Sequence, residues 1–308
     1  MMRITIIGAG AMGSLFGGLL SSVAEVGLVD LWREHVDAIR RDGLRLVEPT
    51  GEQVVQISAT TDPAEAGPTD LAIIFVKSHQ TEWGAEIAGS ILKPDGLALT
   101  LQNGLGNRDV LARVLGAARA WQGVTAHGAT LLGPGRVRHA GRGPTHLETR
   151  PDIASRAEQV TGLFQQAGIV THLSPDLDSL IWGKLVVNVG INALTGILRV
   201  PNGLLREIEP ALSLMDAAVG EAVQVARAKG IALPYDDPIH KVHDVCAATA
   251  ANRSSMLQDV LRGSSTEIDV INGAIVREAS ALGLQAPVNQ MLTQFIKAIE
   301  ASYSARVA

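Results

Sequence analysis

A lysine and two asparagines recur at four-residue intervals in residues 181–195: Lys184, Asn188 and Asn192. In an α-helix that spacing puts all three side chains on one face. The residues between them are Leu, Val, Ile and Gly, so the segment is otherwise apolar. Burying an ammonium and two amides without partners is costly, and such a row needs something polar to face. A Lys in a partly desolvated cleft has a lowered pKa and can give up a proton near neutral pH. The amides beside it can orient a carboxylate or a hydroxyl. The chemistry implied is proton donation to a small polar substrate. A polar stripe against solvent or another domain is the plainer alternative.

A second set of groups lies near the start of the chain. Gly8-Ala9-Gly10-Ala11-Met12-Gly13 fits the pattern G-x-G-x-x-G. A β-branched run at 3–7 precedes it and a helical pattern over about 13–24 follows, and this context is what makes the pattern informative. Gly8 allows a tight turn, Gly10 lets a pyrophosphate approach the backbone, and Gly13 lets the helix pack close to the strand. The phosphates then sit at a helix N-terminus, where free N–H groups and the macrodipole favour negative charge. Asp30 ends the second strand about 20 residues on, where an acidic group bonds the ribose 2′-hydroxyl and disfavours a 2′-phosphate. Arg33, close behind it, is able to pair with a 2′-phosphate. Asp30 points to NAD(H) and Arg33 to NADP(H), and the two residues leave the choice open.

The elements that must position these groups follow from periodicity. Residues 70–76 are apolar on consecutive positions, as a buried parallel strand is. Strand runs at 25–30 and 97–101 alternate with helical patterns at 34–42 and 81–92. That alternation implies an α/β Rossmann domain, a doubly wound, mostly parallel sheet, over residues 1–174. Residues 121–148, rich in Gly, Thr and His, read as antiparallel strands extending the sheet. Beyond Ser174-Pro175 the pattern is helical at 180–198, 205–229, 238–251 and 267–282, with Gly230 and Gly283 where C-caps belong. Residues 175–308 are therefore expected to form an all-helical substrate and catalytic domain. Lys77 and Asn103 follow strand ends, where ligands bind in such sheets, although surface loop groups would read the same way. Asn252 to Ser255 reads as a helix start, capping is the plainer account of Ser254 and Thr266, and Glu267 and Asp269 read as first-turn acids that favour the dipole.

Composition narrows the class. A net charge of −5 leaves no basic footprint for nucleic acid. The single cysteine, Cys246, excludes an internal disulfide and reads as a small buried hydrophobe. His79, His127, His139, His146, His240 and His243 are scattered rather than spaced as metal ligands, so no metal is expected. The apolar N-terminus lacks a charged leader and a small-residue cleavage site, and no 18-residue apolar stretch is free of charge. A cytoplasmic protein without membrane attachment is the expectation. A helical second half can serve as a homodimer surface, though no feature demands it.

Taken together, the glycine loop, Val76-Lys77-Ser78, Gln102-Asn103-Gly104, Trp182-Gly183-Lys184 with Asn188 and Asn192, Pro201-Asn202-Gly203, the run Ser254 to Asp259 and the run Thr266 to Gly273 resemble the ketopantoate reductase (2-dehydropantoate 2-reductase) family. The resemblance covers nearly the whole chain, and its C-terminal motifs are far more specific than the glycine loop. It implies reduction of the 2-oxo group of ketopantoate to pantoate with NADPH, a step of pantothenate and coenzyme A biosynthesis. It implies Lys184 as the general acid and Asn103, Asn188, Asn192, Asn202 and Ser255 as substrate contacts, Asn103 also lying near the nicotinamide. Lys77, Glu267 and the backbone of Ala129 correspond to cofactor contacts. Where the family commonly carries an Arg after the second strand, this chain has Leu31. Two other readings stand beside this one: a reductase of a different small 2-oxo acid using NADH or NADPH, and a dinucleotide-binding redox sensor without turnover. The ordered row of Lys184, Asn188 and Asn192 argues against the sensor, which has no need of a proton donor.

Overall fold

β1 (Arg3–Ile7) runs into the glycine loop and α1 (Ala11–Leu20), and β2 (Glu25–Val29) returns parallel to it. The structure, a computed structural model, describes residues 1–305. After α2 (Arg33–Asp42) come β3 (Leu44–Glu48), β4 (Gly51–Val55) and β5 (Ser58–Thr60). Then follow β6 (Thr69–Ile74), α3 (Thr81–Ile91), β7 (Leu92–Thr100), α4 (Asn107–Leu115) and β8 (Ala120–Thr125). β9 (Gly128–Gly133), β10 (Arg136–Gly141), β11 (Thr145–Glu148), α5 (Ala154–Gln166) and β12 (Thr171–Ser174) complete this part. The main sheet has the order β12-β11-β8-β7-β6-β1-β2-β5 and is parallel except where β11 meets β8. Strand order reverses beside β1, and that switch point is where open α/β sheets bind ligands.

The consecutive apolar residues of these strands have two cores to fill. Ile4, Ile6, Leu71 and Ile73 pack with Phe16 and Leu20 of α1, Val36 and Ile39 of α2, and Phe164 of α5. Ile7, Ala72 and Ile74 face the other way, onto Ala85, Ala88 and Ile91 of α3 and Leu111 of α4. Alternate side chains thus enter opposite cores, so the sheet is doubly wound, as its apolar patterning implies.

The segment 121–148 departs from the expected simple extension. β8 joins β7 in parallel and only β11 adds antiparallel to the sheet. β9 and β10 leave it and form a second sheet, order β4-β3-β10-β9, in which β3 and β10 run parallel. Leu44, Leu46 and Val137 of this sheet join the core around α1. Small residues on α1 make room on both sides. A Cβ at Gly17 would lie 2.6 Å from Leu28, and one at Gly18 would lie 2.7 Å from Leu46. α1 is therefore layered between two sheets.

The chain divides into two compact units, one of residues 1–102 with 106–177 and the other of 103–105 with 178 onward. The second is helical: α6 (Leu177–Leu198), α7 (Leu204–Glu207), α8 (Glu209–Ala228), α9 (Pro238–Ala248), α10 (Ser255–Arg262), α11 (Asn272–Ala281) and α12 (Pro287–Ala301). The single helix expected over 205–229 is broken at Ile208, whose backbone is extended. Pro210 is the cause, because a proline ring clashes with the carbonyl four residues back and offers no N–H. The helix expected over 267–282 opens as a 3-10 turn, Ile268–Val270, and becomes α-helical only at Asn272. Gly230 and Gly283 take positive φ of 73° and 70° after α8 and α11, as helix ends require. Cys246 is fully buried beside Met215, and burial pushes its thiol up to about 11, so it behaves as a hydrophobe.

α6 is 22 residues long with a hydropathy of 1.4, long and apolar enough to cross a membrane by those measures alone. It is 67% buried within the protein, as a core helix is, and it carries Lys184.

Candidate active site

The rotation of α6 is set by its glycines. At roughly 100° per residue, Gly183 and Gly190 lie on nearly one line, well round the helix from Lys184. A Cβ at Gly190 would come within 2.8 Å of Val219 and 2.9 Å of Val242, and one at Gly183 within 2.7 Å of Pro234. That face is pressed onto α8, α9 and the loop between them. The Tyr235 hydroxyl also donates to the Gly183 carbonyl at 2.7 Å. The row of polar side chains is thereby turned away from this contact. Lys184 and Asn188 are half-buried and Asn192 is buried.

Burial pulls the Lys184 ammonium down to about 8, and the Glu267 carboxylate partly opposes that shift. Glu267 is itself buried, and its Oε2 accepts from Asn103 Nδ2 at 3.1 Å. Asn103 reaches it because the turn after β7 packs on the 3-10 turn of the helical unit. There the Leu105 amide donates to the Val270 carbonyl at 3.0 Å. Gly104 between them has φ of +82°, and a Cβ would collide with the Val270 carbonyl, so only glycine serves. Lys184, Glu267 and Asn103 thus form one electrostatic centre. An ammonium close to neutrality, facing a carboxylate that holds an amide, can donate a proton and still be recharged near neutral pH.

The start of α10 is tied to α6 through a residue that spacing did not single out. Thr195 Oγ1 lies 2.7 Å from Ser254 Oγ and bonds back to the Ile191 carbonyl at 2.9 Å. Ser254 Oγ accepts from the Leu257 amide at 3.0 Å, the N-cap expected for it. Ser255 is exposed at the first position of α10. Ser254→Ala removes the cap and a buried hydroxyl partner. Expected is a loss of about 0.5–2 kcal/mol, read as a lower midpoint in thermal or urea denaturation. An unchanged midpoint would show the cap to be idle. Asn202 is buried, with Nδ2 donating to Thr249 Oγ1 at 2.9 Å and its backbone amide to the Asn252 carbonyl at 3.0 Å. These two bonds tie it to the 249–252 turn and leave its Oδ1 without a protein partner among the described residues.

The glycine loop is built within the other unit. Gly8 has φ of +95°, and a Cβ there would lie 2.5 Å from the Val76 amide nitrogen. A Cβ at Gly13 would fall on the Gly8 carbonyl, which shows how closely α1 returns to the loop. At Gly10 a Cβ would meet nothing within 4 Å. Gly10 is also the N-cap of α1, with no side-chain cap and no acidic residue in the first turn, where Ala11 and Met12 sit half-buried. Open space over the uncapped end of a helix fits a pyrophosphate.

Asp30 is more than a solvated loop carboxylate. Its Oδ2 accepts from the Ala9 amide at 2.6 Å and its Oδ1 from the Trp32 amide at 2.8 Å, so it is held at the end of β2 against the loop. Arg33 is exposed at the first position of α2. Lys77 is half-buried ahead of the 3-10 turn Ser78–Gln80. Ala129 lies on β9 opposite His139. Gln102, quoted in the Gln102-Asn103-Gly104 motif but given no role by the sequence, donates to the Val76 carbonyl at 2.7 Å and to Thr81 Oγ1 at 3.0 Å, joining the ends of β6 and β7.

Residues 4–152 match the ketopantoate reductase PanE/ApbA family, and residues 176–300 match the ketopantoate reductase PanE/ApbA C-terminal domain. A 2-dehydropantoate 2-reductase of Halobacterium salinarum is 38% identical over 300 residues, covering 96% of this chain and 98% of that protein. One from Pyrococcus abyssi is 38% identical over 301 residues, covering 97% and 98%. The crystal structure of a PanE/ApbA family ketopantoate reductase from Ralstonia eutropha JMP134 is similar with a TM-score of 0.92 at 34% identity, covering 98% of this chain and all of that one. The ternary structure of D-mandelate dehydrogenase with NADH and anilino(oxo)acetate is similar with a TM-score of 0.91 at 31% identity, covering 99% and 100%. With both halves matched and relatives aligned over almost its full length, the chain belongs to the ketopantoate reductase family.

Proposed function

We propose that this chain reduces the 2-oxo group of ketopantoate to pantoate with a nicotinamide dinucleotide, and that it prefers NADH. The observation that carries the reaction is the Lys184 ammonium, lowered to about 8 and facing Glu267. The bound dinucleotide supplies the hydride. Lys184 stabilises the charge growing on the carbonyl oxygen and donates the proton that completes the hydroxyl. Asn188 and Asn192 follow it along α6 and offer amides to the substrate carboxylate and hydroxyl, with Asn103, Asn202 and Ser255 as further contacts. Glu267 keeps Lys184 charged and holds Asn103. In the other unit the amides at the start of α1 bind the pyrophosphate, and Lys77 and Ala129 touch the cofactor. The product places the chain in pantothenate synthesis.

NADH is favoured because Asp30 is fixed by two backbone amides at the end of β2, where a 2′-phosphate would bring a second negative group against it. Its relative D-mandelate dehydrogenase is described with NADH. Ketopantoate turnover measured with each cofactor in parallel tests the whole reading. Expected is a kcat/KM at least about tenfold higher with NADH, a difference of about 1.4 kcal/mol. A clear preference for NADPH would reject the role given to Asp30 and transfer discrimination to Arg33. The likeness to D-mandelate dehydrogenase favours a second reading, reduction of a different 2-oxo acid. An aromatic 2-oxo acid turned over while ketopantoate is not would establish it.

A further inference from the structure

The Ala9 peptide in the glycine loop is gripped at both ends. Its amide donates to Asp30 at 2.6 Å, and its carbonyl accepts from Ser14 Oγ at 2.7 Å. Ser14 Oγ in turn lies 3.1 Å from His35 Nε2, while the Gly135 amide donates to His35 Nδ1 at 3.0 Å. Ser14 and His35 are both completely buried. The proton positions follow from the partners. A backbone amide can only donate, so Nδ1 carries a lone pair and the imidazole is the Nε2–H tautomer. Ser14 gives its proton to the Ala9 carbonyl and accepts from His35. The far end is anchored too, because the Gly135 carbonyl accepts from the Arg45 amide at 2.8 Å. Gly135 is the turn between β9 and β10, so the chain runs from the outer sheet, through α2 and α1, into the loop.

We propose that His35 is a positioning residue for the dinucleotide, holding the glycine loop in its binding geometry through Ser14. The proposal rests on the reading that this loop binds a nicotinamide dinucleotide, and it gives the second sheet a part in that binding. A loop whose peptide is already oriented loses less entropy when the pyrophosphate arrives. Only neutral imidazole fits the chain. A proton on Nδ1 would set two donors, His35 and the Gly135 amide, against each other. Around the ring stand Ser14 from α1, the Gly135 amide from the hairpin, Asp30 from the end of β2, and Trp32, whose ring stacks on it at 5.0 Å and whose Nε1 donates to Glu34. Burial holds the imidazole below the usual histidine range, with Asp30 and the Ala9 backbone opposing.

The test is a fluorescence titration of the full chain with NADH and NADPH, together with kcat at saturating cofactor. The variants are Ser14→Ala, His35→Phe and the double. Each single change is expected to raise the cofactor Kd about five- to tenfold, the worth of one lost hydrogen bond, and to leave kcat at saturation within about twofold. The double should resemble a single variant rather than the product of both, since the two residues act in one chain. Wild-type affinity should fall as pH drops below the histidine range, and His35→Phe should lose that dependence. A wild-type Kd in Ser14→Ala, a variant that leaves the ring and its packing in place, would overturn the proposal even if His35→Phe failed to fold. So would a multiplicative double variant. Failure of the wild-type chain to bind either cofactor would instead sink the dinucleotide reading beneath it.

Discussion

Lys184→Ala is expected to lower the turnover number for 2-oxo acid reduction by about 10²–10⁴-fold, the usual worth of a positioned proton donor. Cofactor affinity should stay near the wild-type value, because the glycine loop is built by other residues in the first unit. The pH profile of the wild type supplies an independent check. The acid is the ammonium, and burial brings it to about 8. Reduction should therefore be supported below that pH and lose about tenfold per unit above it, as the neutral amine takes over. Oxidation of the hydroxy acid needs the neutral amine and should rise over the same interval. Lys184→Arg keeps a positive charge that does not titrate in this range, and should abolish the alkaline limb along with most of the rate. Near-normal turnover in Lys184→Ala would end the assignment.

Two glycine substitutions separate the loop's ligand role from its structural one. Gly10→Ala adds a methyl group where the protein has nothing within 4 Å, at a backbone φ of −62° that alanine accepts. Stability should be unchanged, while the cofactor Kd rises by about 10²-fold because the methyl occupies the pyrophosphate's approach. Gly13→Ala places its methyl on the Gly8 carbonyl, so the loop and α1 must separate. It should lose both stability and binding. Calorimetry or thermal unfolding beside a cofactor titration distinguishes the two outcomes. A Gly10→Ala protein that binds NADH and NADPH normally would remove the phosphate from this site.

Much of the site was legible because its determinants are local. The spacing of Lys184, Asn188 and Asn192 needs only a helix to become a row. The glycine loop needs only a strand before it and a helix after it. Pro210 is visible too, and it overrides the helical periodicity that runs through 205–229, so that break is also legible in the sequence. Thr195, Gln102, Ser14 and His35 were different. Each is an ordinary residue until its partner, from Thr81 through Gly135 to Ser254, is brought beside it by the fold.

The order and kind of elements, the apolar runs that demand a two-sided sheet and the i, i+4, i+8 row were set by the sequence alone, since short-range backbone geometry carries them. Tertiary structure decided which way that row turns, through contacts of Gly190 with two helices and of Gly183 with the loop between them, all tens of residues away. It decided that β3 pairs with β10 in a separate sheet, a match between strands far apart in the chain that no local period records. It also decided the lowered pKa of Lys184, because desolvation and the field of Glu267 exist only once distant segments have closed around it.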